Sequence, residues 1–288
     1  MRFARGVFAI VFSLGLAGAA AAQPPVWIAH SGATTILLFG SVHLLPKGLD
    51  WRPPALTAAI ARADEIWFEL PIGGDSDAEA IRLVQTTGLL PAGESLHVLL
   101  PKAEDARLNH AGVALGLPPA LFDRMRPWLA DLTISLAFDA KAGALPDEGV
   151  ERKLQGLAPA TAVRKAFETP TEQIALFADA PLKEQIASLD VDLRDIADDP
   201  DSFQRVVNDW MAGDLVALRK EDLEPLRKAS PAAYARLITE RNQRWAAVLT
   251  RRLATPGEVV VVVGVGHLIG PGGVPALLRK AGFTVEGP

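Results

Sequence analysis

The hydrophobic positions of this chain change rhythm twice. Between residues 26 and 43, two short apolar or β-branched runs, Trp27-Ile28-Ala29 and Thr34–Phe39, flank His30-Ser31-Gly32-Ala33. Short runs of this kind around a glycine-containing loop predict a β-hairpin. A helix opened by prolines is predicted over 53–63, then a short buried strand at Glu65–Leu70 (EIWFEL), stopped by Pro71. From 77 to 253 the pattern is mostly helical. Asp77–Thr87 ends at Gly88, Pro101–Leu115 at Gly116 and Pro127–Ala142 at Gly143, with proline at starts and glycine at stops. Thr169-Pro170-Thr171-Glu172 reads as a capping box, in which Thr169 caps and Glu172 reaches back. Further helices are predicted near 181–197, 201–211, 214–220 and 231–253, with one strand near Thr161–Phe167. The β pattern then returns. Glu258–Val263 carries five consecutive valines, a helix follows near Val274–Ala281, and a last strand falls at Phe283–Glu286.

A five-valine run is expected of a parallel strand covered on both faces. The last thirty or so residues cannot cover it alone, so the N-terminal strands are its natural partners. The expected fold class is therefore α/β, with a mixed, largely parallel central sheet built from both chain ends and a large α-helical insertion over about 77–253. A single domain over 23–288 is expected, with a separate helical domain as the alternative.

Composition adds a compartment. Met1-Arg2-Phe3-Ala4-Arg5 is basic, Val7–Ala17 is apolar, and small residues run through Ala20-Ala21-Ala22 before Gln23. That is the layout of a secretory signal peptide over 1–22, cleaved near Ala22/Gln23, and the apolar run is too short to span a bilayer. The expected location is periplasmic or secreted, with no integral membrane segment after cleavage. Cleavage takes the formal charge from -5 to -7, since Arg2 and Arg5 leave with the signal. A mildly acidic chain argues against nucleic acid as a partner. The absence of cysteine excludes disulfides, thiolate metal sites and cysteine nucleophiles.

The candidate chemistry lies in an internal echo. Phe39-Gly40-Ser41-Val42-His43-Leu44-Leu45-Pro46 and Val263-Gly264-Val265-Gly266-His267-Leu268-Ile269-Gly270-Pro271 both read as apolar strand, Gly-x-x-His, two aliphatics, then proline. Ligand sites of open α/β sheets lie just beyond the carboxyl ends of strands, so His43 and His267 are placed to converge if their strands are neighbours. Glu69 ends the strand EIWFEL, where a carboxylate among Trp67, Phe68 and Leu70 needs a partner. Two histidines and one glutamate form a plausible catalytic metal set with an open position for water. The bland alternative is that each is a satisfied structural residue. Arg241 and Asn242, in Glu240-Arg241-Asn242 with Trp245 behind, are candidate substrate-binding donors; alternatively they sit on a solvated face where Glu240 pairs with Arg244. Gly264-x-Gly266-x-x-x-Gly270 with Glu286 also suggests a dinucleotide fingerprint, but Ile269 stands where that pattern needs glycine. His30, His97 and His110 have no such setting.

The chain resembles the TraB/GumN family, which includes the Tiki metalloproteases. The resemblance rests on Gly40-Ser41-Val42-His43, Glu69 after its strand, Arg126-Pro127-Trp128, Gly149-Val150-Glu151 and Phe167-Glu168-Thr169. It continues through Glu240-Arg241-Asn242 with Trp245, Gly264-Val265-Gly266-His267-Leu268 and the terminal Gly273-Val274…Leu277-Leu278-Arg279…Gly282-Phe283-Thr284-Val285. These pieces span nearly the whole chain after the signal, in order. The resemblance implies an α/β core shared with heme-uptake and erythromycin-esterase relatives, and a hydrolase site dependent on a divalent metal ion (Mn, Co or Zn). His43 and His267 would be metal ligands or direct catalytic residues. Glu69 would be a ligand or a general base, and Arg241 and Asn242 would line the site. The expectation is an exported metal-dependent hydrolase acting on a peptide or protein substrate. The rival is a non-catalytic envelope protein that captures peptide or polysaccharide in exopolysaccharide processes.

Overall fold

The computed structural model describes residues 23–288; the expected signal peptide lies outside these residues. Six strands form one mixed sheet. They are β1 (Val26–Ser31), β2 (Thr34–Ser41), β3 (Glu65–Phe68), β4 (Val163–Ala166), β5 (Gly257–Gly264) and β6 (Thr284–Glu286), in the order β4-β3-β5-β2-β1-β6. β4, β3, β5 and β2 run parallel to one another, whereas β1 is antiparallel to both β2 and β6. The fold is α/β, and both chain ends meet in the sheet.

The five valines behave as their hydrophobicity dictates. Val259 through Val263 are all buried, and β5 sits between β3 and β2 with the helix Pro54–Arg62 against it. Burying a valine side chain is worth about 1.5–3 kcal/mol, which makes this strand a major anchor of the sheet. The hairpin forms as expected, with a turn narrowed to Gly32-Ala33 because pairing continues to Ser31 and Thr34. Gly32 takes a positive φ of 56° there, a conformation that glycine adopts without steric cost.

The stretch from 75 to 252 is mostly helical, as its periodicity suggests, and part of it forms a second apolar cluster around Leu96, Leu108, Phe122, Ile134 and Leu189. It is also threaded into the sheet, because β4 lies within it and pairs with β3. The box at Thr169 closes as expected: the Thr169 side chain accepts from the Glu172 N–H, and the Glu172 side chain accepts from the Thr169 N–H. Two features lie beyond what the sequence pattern predicts. A short helix at Val150–Gln155 places Glu151, and the last long helical stretch widens into a π turn at Ala235–Thr239 before Glu240–Arg252. Such bulges re-aim the side chains that follow them and are frequent at functional sites. Among the described residues no helix is long and apolar enough to cross a membrane.

Candidate functional site

Register brings the site together. Gly40 pairs with Val263 and Ser41 with Gly264, so the two Gly-x-x-His corners leave neighbouring parallel strands side by side. Phe68 pairs with Val262, which puts Glu69 at the same edge. β4 adds Glu168 two residues beyond its end. Each of the four parallel strands thus delivers one polar side chain at its carboxyl end, in the order Glu168, Glu69, His267, His43. The gap at the corners is made by glycine. A Cβ on Gly264 would lie 3.2 Å from Oε1 of Glu69, 3.5 Å from Nε2 of His43 and 3.8 Å from Cδ2 of His267. A Cβ on Gly40 would come within 2.8 Å of the Val265 side chain.

The two histidines differ sharply. The side chain of His43 is 62% exposed and its Nδ1 lies 2.8 Å from Oε1 of Glu151. The Ser41 hydroxyl donates to the same oxygen, and Glu151 is mostly buried. These partners assign the Nδ1–H tautomer when the ring is neutral, leaving Nε2 open on the site. The Glu151 carboxylate raises the His43 pKa to about 9, with Glu69 adding to the rise and the partial loss of water around the ring opposing it.

His267 is buried and has both ring nitrogens filled. Its Nδ1 lies 2.6 Å from Oδ1 of Asn242, and Nη1 of Arg241 lies 2.9 Å from its Nε2. Arg241 can only donate, so Nε2 accepts and Nδ1–H donates to Asn242. Asn242 in turn donates from Nδ2 to the Gly272 carbonyl. Burial depresses the His267 pKa to about 4, with Arg241 helping and Glu69 opposing, so the ring is neutral at neutral pH. Trp245 packs on it at a centroid distance of 4.5 Å.

Glu69 is buried as a carboxylate. Its Oε1 accepts from the Gly264 N–H at 2.7 Å and its Oε2 from Nη2 of Arg241 at 2.6 Å. Burial alone would raise its pKa, but the positive charge around it and the Gly264 N–H hold it at about 2. Of the positive groups, Arg241 has the firmest claim, because His267 is neutral where Glu69 is ionised. Glu168, also buried, takes a two-pronged contact from Nε and Nη2 of Arg241 at 2.8 Å each.

The fold therefore gathers His43, Glu69, His267, Arg241 and Asn242 in one place. The solvated-face alternative for Arg241 and Asn242 does not apply, since both are buried. The sequence pattern assigns no role to Ser41, Glu151 or Glu168. Glu151 and Glu168 stand within short motifs, Gly149-Val150-Glu151 and Phe167-Glu168-Thr169, but nothing in their spacing shows which histidine or arginine each meets. The glycine run 264–270 opens only a three-residue 3-10 turn at Val265–His267, and the next α-helix begins at Val274, so the strand–glycine–helix context of a dinucleotide site is missing. Glu286 instead lies 3.7 Å from His30. An apolar cleft of about 600 Å3, lined by Ala111, Phe138 and Leu193 among others, shares no residue with the site.

A divalent ion would need lone pairs from about three of these groups at roughly 2.0–2.3 Å. The residues fit in kind, because both imidazoles are tied through Nδ1 to an oxygen acceptor, as ligating histidines usually are. They do not fit as arranged. Arg241 fills Nε2 of His267 and contacts Oε2 of Glu69, which leaves Nε2 of His43 as the one unencumbered imidazole nitrogen of the pair.

The model of the TraB/PrgY/gumN family matches residues 25–287. The chain is 26% identical over 259 residues to a protein of Escherichia coli (strain K12) named "Uncharacterized protein YbaP", covering 89% of this chain and 92% of that one. A Shigella flexneri protein of the same name matches with the same identity and coverage. No solved structure matches. With the family's pattern spanning nearly all of the chain after residue 24, this chain belongs to the TraB/PrgY/gumN family.

Proposed function

We propose that this chain is an exported hydrolase that cleaves an acyl bond, a peptide bond first among the candidates, with water activated at His43. One observation carries the reading. Nε2 of His43 is open beside the carboxylate of Glu69 at a glycine-lined sheet edge, while Nδ1 is held by Glu151, itself fixed by Ser41. A base oriented by a carboxylate in this way is the general acid–base arrangement of many hydrolases.

In this mechanism Nε2 of neutral His43 takes a proton from water as its oxygen attacks the carbonyl carbon. The imidazolium then returns a proton to the leaving nitrogen as the C–N bond breaks. Glu151 stays ionised and stabilises the imidazolium. Because His43 loses its proton only near pH 9, kcat/KM should rise with pH and level off above about 9.

The divalent-metal form of this reading uses His43, Glu69 and His267 as ligands for Mn, Co or Zn. The Nδ1 tethers favour it; it requires Arg241 to leave Nε2 of His267. The other rival is capture of peptide or polysaccharide without turnover.

The test is a peptide library incubated with the mature chain from pH 6 to 10, with EDTA or with added Mn²⁺, Co²⁺ or Zn²⁺. Cleavage under EDTA that is lost in His43→Ala supports activation by His43. Cleavage only with added metal, abolished by Glu69→Gln, establishes the metal form. Ligand binding that survives Glu69→Gln with no product in any condition favours the binding protein.

A further inference from the structure

Arg241 is the most fully engaged side chain of the site. A guanidinium carries five N–H donors in a fixed planar fork. Nε donates to Oε1 of Glu168 at 2.8 Å, and Nη2 donates to Oε2 of Glu168 at 2.8 Å and to Oε2 of Glu69 at 2.6 Å. Nη1 donates to the Leu237 carbonyl at 3.2 Å and to Nε2 of His267 at 2.9 Å. All five donors have protein acceptors, and none is left for a substrate. The guanidinium carbon lies over the Trp245 ring, 4.7 Å from its centre, and the residue is only 6% exposed.

The acceptors draw from distant parts of the chain. Glu69 and Glu168 leave two different strands, His267 follows a third, and Leu237 lies in the π turn just before the Arg241 helix. That turn belongs to the same helical run as Arg241, so its register shift sets where the guanidinium is delivered. Two carboxylates and one imidazole lone pair converge on a single point, which is the donor chemistry that would otherwise gather a divalent ion. Here an arginine stands there instead, held by a two-pronged carboxylate contact of the strong, geometrically specific kind.

We propose that the Arg241 guanidinium is the resident cation of this pocket. It fills the place between His267 and Glu69 that a divalent ion would need, so the native chain has no tight metal site built on His267. Arg241 is then a positioning residue. It holds Glu69 and Glu168 side by side and fixes His267 with its Nε2 lone pair pointed at the guanidinium. The asymmetry of the two histidines follows, since Arg241 reaches His267 and leaves Nε2 of His43 free. The role of Arg241 is independent of metal-free hydrolysis at His43 and is incompatible only with a metal form that uses His267.

The experiment is a Co²⁺ titration of the full mature chain, read by calorimetry and by the visible absorption of bound cobalt. It compares the native chain, His267→Ala, Arg241→Ala and the double variant. The native chain and His267→Ala should bind Co²⁺ equally weakly, without a saturating band. Arg241→Ala should gain a saturable visible band, with affinity at least tenfold above native. The double variant should lose that gain, and added guanidinium ion should compete with Co²⁺ in Arg241→Ala alone. If Arg241→Ala does not fold, judged by circular dichroism, native against His267→Ala decides by itself. Stoichiometric Co²⁺ binding by the native chain that His267→Ala abolishes overturns the proposal, as does a folded Arg241→Ala that gains nothing. The first of these outcomes would favour the metal form of the hydrolase, whereas the metal-free form is judged separately, by cleavage under EDTA and its pH profile.

Discussion

The two Gly-x-x-His corners begin from the same local pattern and end as opposites. Both leave neighbouring parallel strands, and Gly40 and Gly264 pair with Val263 and Ser41 across the same step of the sheet. Yet His43 faces solvent with one nitrogen open, whereas His267 is buried with both nitrogens bonded. The corners differ in what packs on them. The Glu151 carboxylate, held in place by the Ser41 hydroxyl, brings negative charge to His43, so its proton is held more tightly. Arg241, Asn242 and Trp245 enclose His267, so its neutral form is favoured. A repeated motif fixes a direction of approach to the site; the surrounding side chains set the chemistry.

The largest effect that would sharpen this contrast is on rate. His43→Ala should lower hydrolysis by about 10²–10⁴-fold, the usual contribution of a general acid–base group, with little change in stability because the ring is largely exposed. His267→Ala should do the reverse in kind and lower stability by about 2–4 kcal/mol, as buried partners lose their bonds and a cavity opens. Urea denaturation of both variants, beside the cleavage assay, checks the pair. Equal stability losses would mean that the two corners are not differently built.

Next in size is the packing behind His43. A Cβ on Gly149 would lie 2.0 Å from the His43 carbonyl oxygen, so the backbone must shift in Gly149→Ala. A loss of about 1–3 kcal/mol, with weakened coupling between His43 and Glu151, is expected by denaturation and imidazole NMR. Gly264→Ala, whose Cβ would lie 3.2 Å or more from the site's polar atoms, should cost less stability and act mainly on rate.

Proton binding separates the corners without mutation. His43 should titrate near pH 9 and His267 near 4, read by imidazole NMR. The two shifts act on stability with opposite signs. His43 has a folded value above its ordinary 6.5, so its contribution is whole below 6.5 and is lost as pH rises through about 9. That contribution is small, because an exposed pair is screened by water and salt. His267 has a folded value below 6.5, so its contribution is whole above 6.5 and is lost as pH falls toward about 4. Glu69 adds a loss at lower pH, from its ordinary 4.5 down through about 2. Denaturant midpoints should therefore fall steadily below pH 6.5 and only slightly near pH 9.

The finest prediction concerns Glu151→Gln. Removing the carboxylate that raises the His43 pKa should move the His43 titration from about 9 toward 6.5, and the pH–rate limb with it. A limb that stays in place would assign the titration to another group.

Much of the fold was legible in the sequence because its signals are local. The valine run, the hairpin and the capping box at Thr169 each follow from a few adjacent residues and their backbone preferences. Even the convergence of His43, Glu69 and His267 follows once both chain ends share one parallel sheet, since like-directed strands bring their carboxyl ends to one edge. The short helix carrying Glu151 and the π turn before Arg241 gave weaker signals, a six-residue helix being too brief for periodicity to show.

The sequence by itself thus determined which strands form, that they run largely parallel, and which imidazoles and carboxylate stand at the rim. Only the tertiary structure decided that Glu151 takes Nδ1 of one histidine and Arg241 takes Nε2 of the other. Those contacts join residues 108 and 26 positions apart. Proton affinity and lone-pair availability are properties of a three-dimensional neighbourhood, and a motif of four residues carries no record of the neighbours it will meet.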